Sequence, residues 1–185
     1  MTVQKTTFSE WHFQQEWVLD DVLYTSNGFG KQVDNSYKLL WKAVKDHIDN
    51  FNTCVDIGIG LGEFSRYASQ SFDNIIGFDP LNVENITYNV PQEKLAHYAV
   101  AVNDTETVDS YNINNVGLLK VTVKVNNTAQ EHLILKGCEN ILNNQNPVVL
   151  VDIHQADEDN LAIDYLTSLG YSQILSFGNI KGFKK

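Results

Sequence analysis

Val55-Asp56-Ile57-Gly58-Ile59-Gly60-Leu61-Gly62-Glu63-Phe64-Ser65, followed by Ile75-Ile76-Gly77-Phe78-Asp79-Pro80, decides how this chain is read. An apolar run ends in an acid and gives way to glycines at alternate positions, then to a helical pattern. A second apolar run ends in another acid. The order is strand, glycine loop, helix, strand, the opening of a nucleotide-binding α/β unit. Glycine at Gly58, Gly60 and Gly62 lets the backbone turn sharply and come close to a ligand, where a Cβ would collide. Asp79, at the end of the second strand, is placed to accept hydrogen bonds from a ribose diol. Asp56, at the end of the first, can hold a cationic group.

Working outward, strand and helix signals alternate. Asn35 or Ser36 caps a helix with Leu39, Leu40, Ala43, Val44 and Ile48 on one face. Strands are expected at 53–57, 74–78, 95–102, 117–125 and 147–153, with a weaker strand or excursion at 107–113. Helices are expected at 63–71, 129–142 and 157–169, the last stopped by Gly170. Segments 171–177 and 179–183, separated by Gly178, read as a closing antiparallel pair. The fold class is α/β: a doubly wound, mostly parallel, seven-stranded sheet with an antiparallel C-terminal edge hairpin. Ligands of such sheets bind beyond the carboxyl ends of the strands. That rule puts Asp56, the glycine loop, Asp79, Asn103, Asp104 and the Asp152–His154 end on one rim.

The chain has 185 residues, 43% apolar and 19% charged, which fits one globular domain with a core at 51–185. Residues 1–50 read as an N-terminal helical segment with an aromatic cluster at Trp11, His12, Trp17 and Tyr24. It serves either as a lid over a substrate or as cover for a sheet edge. No run approaches the length of a membrane span, and no signal-peptide pattern is present, so a cytoplasmic location is expected. High Asn content and few prolines fit a low-GC source, a virus among them. A formal net charge of −10 makes nucleic acid an unfavourable partner. Small or saccharide substrates fit better, and a homo-oligomer is compatible with the sequence. Cys54 and Cys138 suggest neither a disulfide framework nor a zinc site. His97 and His132 have no metal-ligand spacing with another histidine or cysteine, so no metal is expected.

A ligand offering ribose, adenine and a cationic amino-acid tail is S-adenosylmethionine. Asp56, Gly58, Gly60, Gly62 and Asp79 resemble the first motifs of the Rossmann-like (class I) S-adenosylmethionine-dependent methyltransferases. Ala99-Val100-Ala101-Val102-Asn103-Asp104 looks like the third motif, where a polar residue meets adenine. The second half is similar to the FkbM-type branch, which methylates hydroxyls. Leu118-Leu119-Lys120-Val121, Leu135-Lys136-Gly137, Pro147, Asp152-Ile153-His154 and Leu169-Gly170-Tyr171 match that branch in order. Thr122 and Lys124 depart from it, standing where the branch carries aspartate and glutamate. A carboxylate lost there argues against a catalytic divalent metal, which wants hard oxygen ligands.

The resemblance implies O-methylation of a hydroxyl on a saccharide or small molecule. Such a transfer needs alignment and a base. His154 is the candidate base, since it ends the fifth strand and an imidazole is the side chain suited to proton transfer near neutral pH. Asp152, two residues earlier, would orient it or shape the acceptor pocket. The structural alternative is a capping Asp152 and a polar strand end at His154. A catalytically degenerate S-adenosylmethionine-binding protein of the same fold is the functional alternative. A nicotinamide oxidoreductase is disfavoured, because Glu63 takes the place of the last glycine in Gly-x-Gly-x-x-Gly.

Overall fold

The computed structural model describes residues 22–24, 30–32, 36–80, 86–87, 89–123, 130–153 and 159–185. Its main sheet contains β3 (Thr53–Ile57), β4 (Asn74–Phe78), β5 (Leu95–Tyr98), β6 (Val116–Thr122), β7 (Val148–Asp152), β8 (Ser172–Phe177) and β9 (Ile180–Lys184). The order across the sheet is β5-β4-β3-β6-β7-β9-β8. Strands β5 through β7 are parallel, and the antiparallel β8–β9 hairpin closes one edge, with β9 inserted beside β7. This is the doubly wound, seven-stranded arrangement the alternation of elements predicts.

Side-chain alternation sends each strand's residues to two faces. Cys54, Leu118, Val148 and Leu150 pack beneath α1 (Ser36–Val44) and α2 (Ser65–Ala68). Val55, Ile57, Leu119, Val121, Val149 and Val151 pack against α3 (Glu131–Lys136), α4 (Glu139–Asn144) and α5 (Asp159–Ser168). Strands β3, β6 and β7 are buried along their whole length. Their near-continuous apolar sequences follow from being covered on both faces. A polar residue within these strands therefore needs a partner inside the protein.

Several expectations are corrected. The buried face of α1 is Leu40, Trp41 and Val44, while Leu39 is 50% exposed and Ala43 is also outside. Trp41 wins the inward position because it meets Phe51, Phe64 and Phe72. The helix expected over 129–142 is two helices, broken at Gly137 and Cys138. A Cβ on Gly137 would lie 2.2 Å from the Asn103 carbonyl oxygen, so only glycine allows that loop to pack there. Helix α4 then restarts with its amides on Asp109, which accepts from Asn140 N–H at 2.7 Å and Ile141 N–H at 3.2 Å. Of the two options at 107–113, strand or excursion, the structure shows the excursion, with a single 3₁₀ turn at Val108–Tyr111. The 1–50 segment is not wholly helical: β1 (Val22–Tyr24) and β2 (Gly30–Gln32) form a separate antiparallel pair. The Trp11, His12 and Trp17 cluster lies outside the described residues. No helix among the described residues is long and apolar enough to cross a membrane.

Candidate active site

Strand β3 runs directly into the glycine loop, and the loop is braced from below. Gly58 N–H donates to the Phe78 carbonyl at 2.8 Å, and Gly62 N–H to the Ile59 carbonyl at 2.9 Å. Gly58, Gly60 and Gly62 all have left-handed backbone, with φ of 72°, 59° and 80°. A Cβ on Gly58 would sit 2.0 Å from the Thr122 carbonyl oxygen. The alternate glycines are thus required by backbone conformation throughout, and at Gly58 by the approach of β6 as well.

Asp79 follows β4 and is only 6% exposed. Its Oδ2 accepts from Gly60 N–H at 2.9 Å, which ties the strand-end acid to the loop. Behind it, His97 has its pKa lowered by burial, while the Asp79 charge and backbone act in the opposite direction.

Asp56 is placed differently. It is completely buried, and both of its oxygens are engaged within the chain. Lys120 Nζ donates to Oδ1 at 2.9 Å and Ser65 Oγ to Oδ2 at 2.6 Å. The sequence reading gave Asp56 to a ligand's cationic group; the structure supplies that cation from β6. The cause is register: Asp56 and Lys120 are direct partners across the β3–β6 ladder. A buried carboxylate without a partner costs several kcal/mol, about 3–5 by comparison with broken buried pairs, so the ion pair is what permits an acid here.

Lys120 extends the arrangement. Its Nζ also donates to Thr122 Oγ1 at 2.8 Å and lies 5.7 Å from the centre of the Phe64 ring. Thr122 is in turn the register partner of Asp152 on β7. Asp56, Lys120, Thr122 and Asp152 form a polar diagonal across three strands on the α1/α2 face, each at least nine-tenths buried. Burial works to lower the Lys120 pKa, but Asp56, then Tyr37 and Asp152, outweigh it and hold the amine above its ordinary value. It is an ammonium at neutral pH.

Tyr37, half-buried on α1, packs against the core beneath that helix. Burial raises its phenol pKa; Lys120 opposes that, and Glu63, Asp56 and Asp152 add to it. Sequence reasoning missed Tyr37 and gave Lys120 no role. A lysine within an otherwise apolar strand, beside another strand that carries an acid, is the signal that was available.

Asn103 and Asp104 share no described hydrogen bond with this row. Asn103 uses its side-chain Oδ1 on Thr105 N–H at 2.7 Å and Glu106 N–H at 2.8 Å, closing a local turn, and Asp104 is exposed. Asn103 thus spends its side-chain oxygen on a local turn. His154 and Lys124 lie outside the described residues. Among the described residues no cluster of His, Cys, Asp and Glu has the makings of a metal site.

No family model matches the sequence, and no curated protein matches it. Solved structures do. Methyltransferase FkbM from Methylobacillus flagellatus KT superposes with a TM-score of 0.59 at 13% identity, over 74% of this chain and 44% of that one. Precorrin-6y C5,15-methyltransferase from Geobacter metallireducens GS-15 gives 0.59 at 13% identity, over 88% and 91%. The fold is that of the class I methyltransferases. N-methyltransferase NodS from Bradyrhizobium japonicum WM9, solved with S-adenosyl-L-homocysteine, gives 0.55 at 8% identity, over 96% of each chain. This chain thus spans less than half of the FkbM protein and nearly all of the other two. At such identities the likeness concerns the fold, and the names of these proteins span several acceptors.

Proposed function

We propose that this protein binds S-adenosylmethionine over the Gly58–Gly62 loop and transfers its methyl group to a hydroxyl on a saccharide or small molecule. The observation that carries the reading is the Asp79–Gly60 hydrogen bond. It places a strand-end carboxylate against a left-handed glycine loop, where a ribose diol and its neighbouring backbone would be recognised together. The residues fit the nucleoside end of the ligand well. They do not fit a direct contact between Asp56 and the ligand's amine, because Lys120 and Ser65 already occupy that carboxylate. Asp56 is therefore read as the residue that fixes Lys120 under the loop.

The sulfonium supplies an activated leaving group. The chain's residues supply alignment, exclusion of water and a destination for the hydroxyl proton. Asp152 is buried at the end of β7, and His154 follows two residues later; together they make the proton-accepting end of the site. Gly58, Gly60, Gly62 and Asp79 hold the nucleoside, with the Asn103–Asp104 turn next to its base. Titration calorimetry with S-adenosylhomocysteine tests this: micromolar binding, with NAD much weaker, is expected. Binding of NAD in preference would overturn it.

A second reading has one observation in its favour. Thr122 stands where the FkbM-type branch carries aspartate, and its hydroxyl is a partner of Lys120. A protein that binds the nucleoside without turnover would satisfy this. Cofactor binding with no methyl transfer to any acceptor would select it.

A further inference from the structure

The crossover from β5 to β6 spans residues 99–115 and carries a single 3₁₀ turn, Val108–Tyr111. With no helix there to cover the outer part of the sheet, a groove of ≈ 360 Å³ runs along β4 and β5. That volume lies within the range of small-molecule sites. The groove is on the side of Tyr111 and Ile113, away from the face that carries Asp56 and Lys120. At the carboxyl end of the strands, the Tyr98 and Tyr111 rings meet with centres 4.5 Å apart, and Tyr98 stacks on Phe78 at 5.2 Å. In the middle lie Ile76 and Ala96, register partners on adjacent strands. At the amino end stand Asn74, which opens β4, and Asn114, two residues before β6.

The amides at the amino end present acceptors. Asn74 donates from its NH₂ to the Asn52 carbonyl at 3.2 Å, and Asn114 to the Asn112 carbonyl at 3.0 Å; neither bond uses the amide oxygen. Glu93 adds a carboxylate to the lining, and the Tyr111 hydroxyl donates to Glu106 at 3.2 Å, so a second carboxylate backs the aromatic end. Lys94 lines the groove as well, but its ammonium is spent on the Ser69 and Phe72 carbonyls at 2.8 and 2.9 Å, on the α1/α2 side. The chain as a whole carries a formal net charge of −10.

We propose that this groove binds a linear aliphatic polyamine. One ammonium sits over the Tyr98–Tyr111 pair, the methylenes lie on Ile76 and Ala96, and another ammonium donates to the amide oxygens of Asn74 and Asn114. Ring faces attract an ammonium through their quadrupole, and amide oxygens accept its N–H groups. The two ends are four strand residues apart, roughly 13 Å, and the floor between them is apolar. A cation with charge at one end satisfies one of them, whereas a triamine reaches both. The same geometry separates a free polyamine from the lysine side chain of a partner protein, which brings a single ammonium. The site stands apart from the methyltransferase reading, and its test needs no S-adenosylmethionine.

Titration calorimetry of the full chain with spermidine tests this, with butylamine and 1,8-octanediol as the one-charge and no-charge controls. Saturable binding of spermidine is expected, weakening as salt rises, with butylamine much weaker and the diol silent. Tyr98 and Asn114 are both exposed, so replacing them spares the core. Asn114→Lys puts a fixed ammonium at the amino end and should weaken spermidine binding by about tenfold or more. Asn114→Asp should tighten it. Tyr98→Leu should weaken it by about three- to fivefold, the loss of an exposed cation–π contact. No saturable binding would overturn the site, as would butylamine or the diol binding as tightly as spermidine. Unchanged affinity in both Asn114→Lys and Tyr98→Leu would also overturn it, by showing diffuse attraction to an acidic surface.

Discussion

Asp56 and Asp79 lie at the ends of adjacent parallel strands, belong to the same motif and are both nearly inaccessible, yet the chain uses them in opposite ways. Asp79 reaches across to the glycine loop and holds a backbone amide. Asp56 is held by a lysine and a serine. What separates them is the neighbour each strand provides. Strand β6 presents Lys120 directly across from Asp56, whereas Asp79 lies past the last paired residue of β4. A strand-end acid is thus a brace for the glycine loop or an internal counter-ion according to what the adjacent strand carries at that level. The ladder, rather than the motif, assigns the role.

The strongest way to break the comparison is to remove the cation. Lys120→Met leaves the Asp56 carboxylate buried and unpaired, and should destabilise the fold by about 3–5 kcal/mol. Adding Asp56→Asn should recover most of that loss. Denaturant unfolding of the single and double variants measures both, and a loss below about 1 kcal/mol for the single variant would show that the pair does not carry Asp56. Next is Gly58→Ala. It forces an L side chain into left-handed backbone, with its Cβ against the Thr122 carbonyl. A loss of about 2–4 kcal/mol is expected, against about 1 kcal/mol at Gly178, which shares the left-handed backbone but has open surroundings.

Asp79→Ala sharpens the contrast from the other side. Losing charge-assisted hydrogen bonds to the ribose should weaken S-adenosylhomocysteine binding by about 1–3 kcal/mol, read by calorimetry. Asp56→Asn should act mainly on stability. Equal effects of the two on affinity would erase the distinction.

The smallest effect is a pH dependence beside Asp79. The folded pKa of His97 is lowered below its ordinary 6.5, chiefly by burial. The folded state therefore binds fewer protons than the unfolded chain. Its contribution to stability is full above 6.5 and is lost as pH falls from there through the folded value. The melting temperature should drop slightly more on acidification in the wild type than in His97→Gln. Parallel profiles would remove His97 from the balance.

Much of this was readable in the chain. The five parallel strands, the glycine loop, the closing hairpin and the two acids follow from apolar runs, glycine spacing and turn residues, all of which are local signals. Non-local packing hid the rest. Trp41 displaces Leu39 from the core because three phenylalanines from other segments await it. Gly137 breaks a helix because a distant loop's carbonyl rests on it. The Lys120–Asp56 pair depends on a register that brings together residues 64 apart in sequence. Asn103 was legible as a turn residue and serves as one, with its amide oxygen spent locally.

The most direct test is a crystal structure of the protein with S-adenosylhomocysteine. The account predicts the ribose hydroxyls on Asp79, the nucleoside over Gly58–Gly62, and Asp56 still bonded to Lys120 and Ser65. A nucleoside bound elsewhere, or Asp56 released from Lys120 to take the ligand's amine, would contradict it.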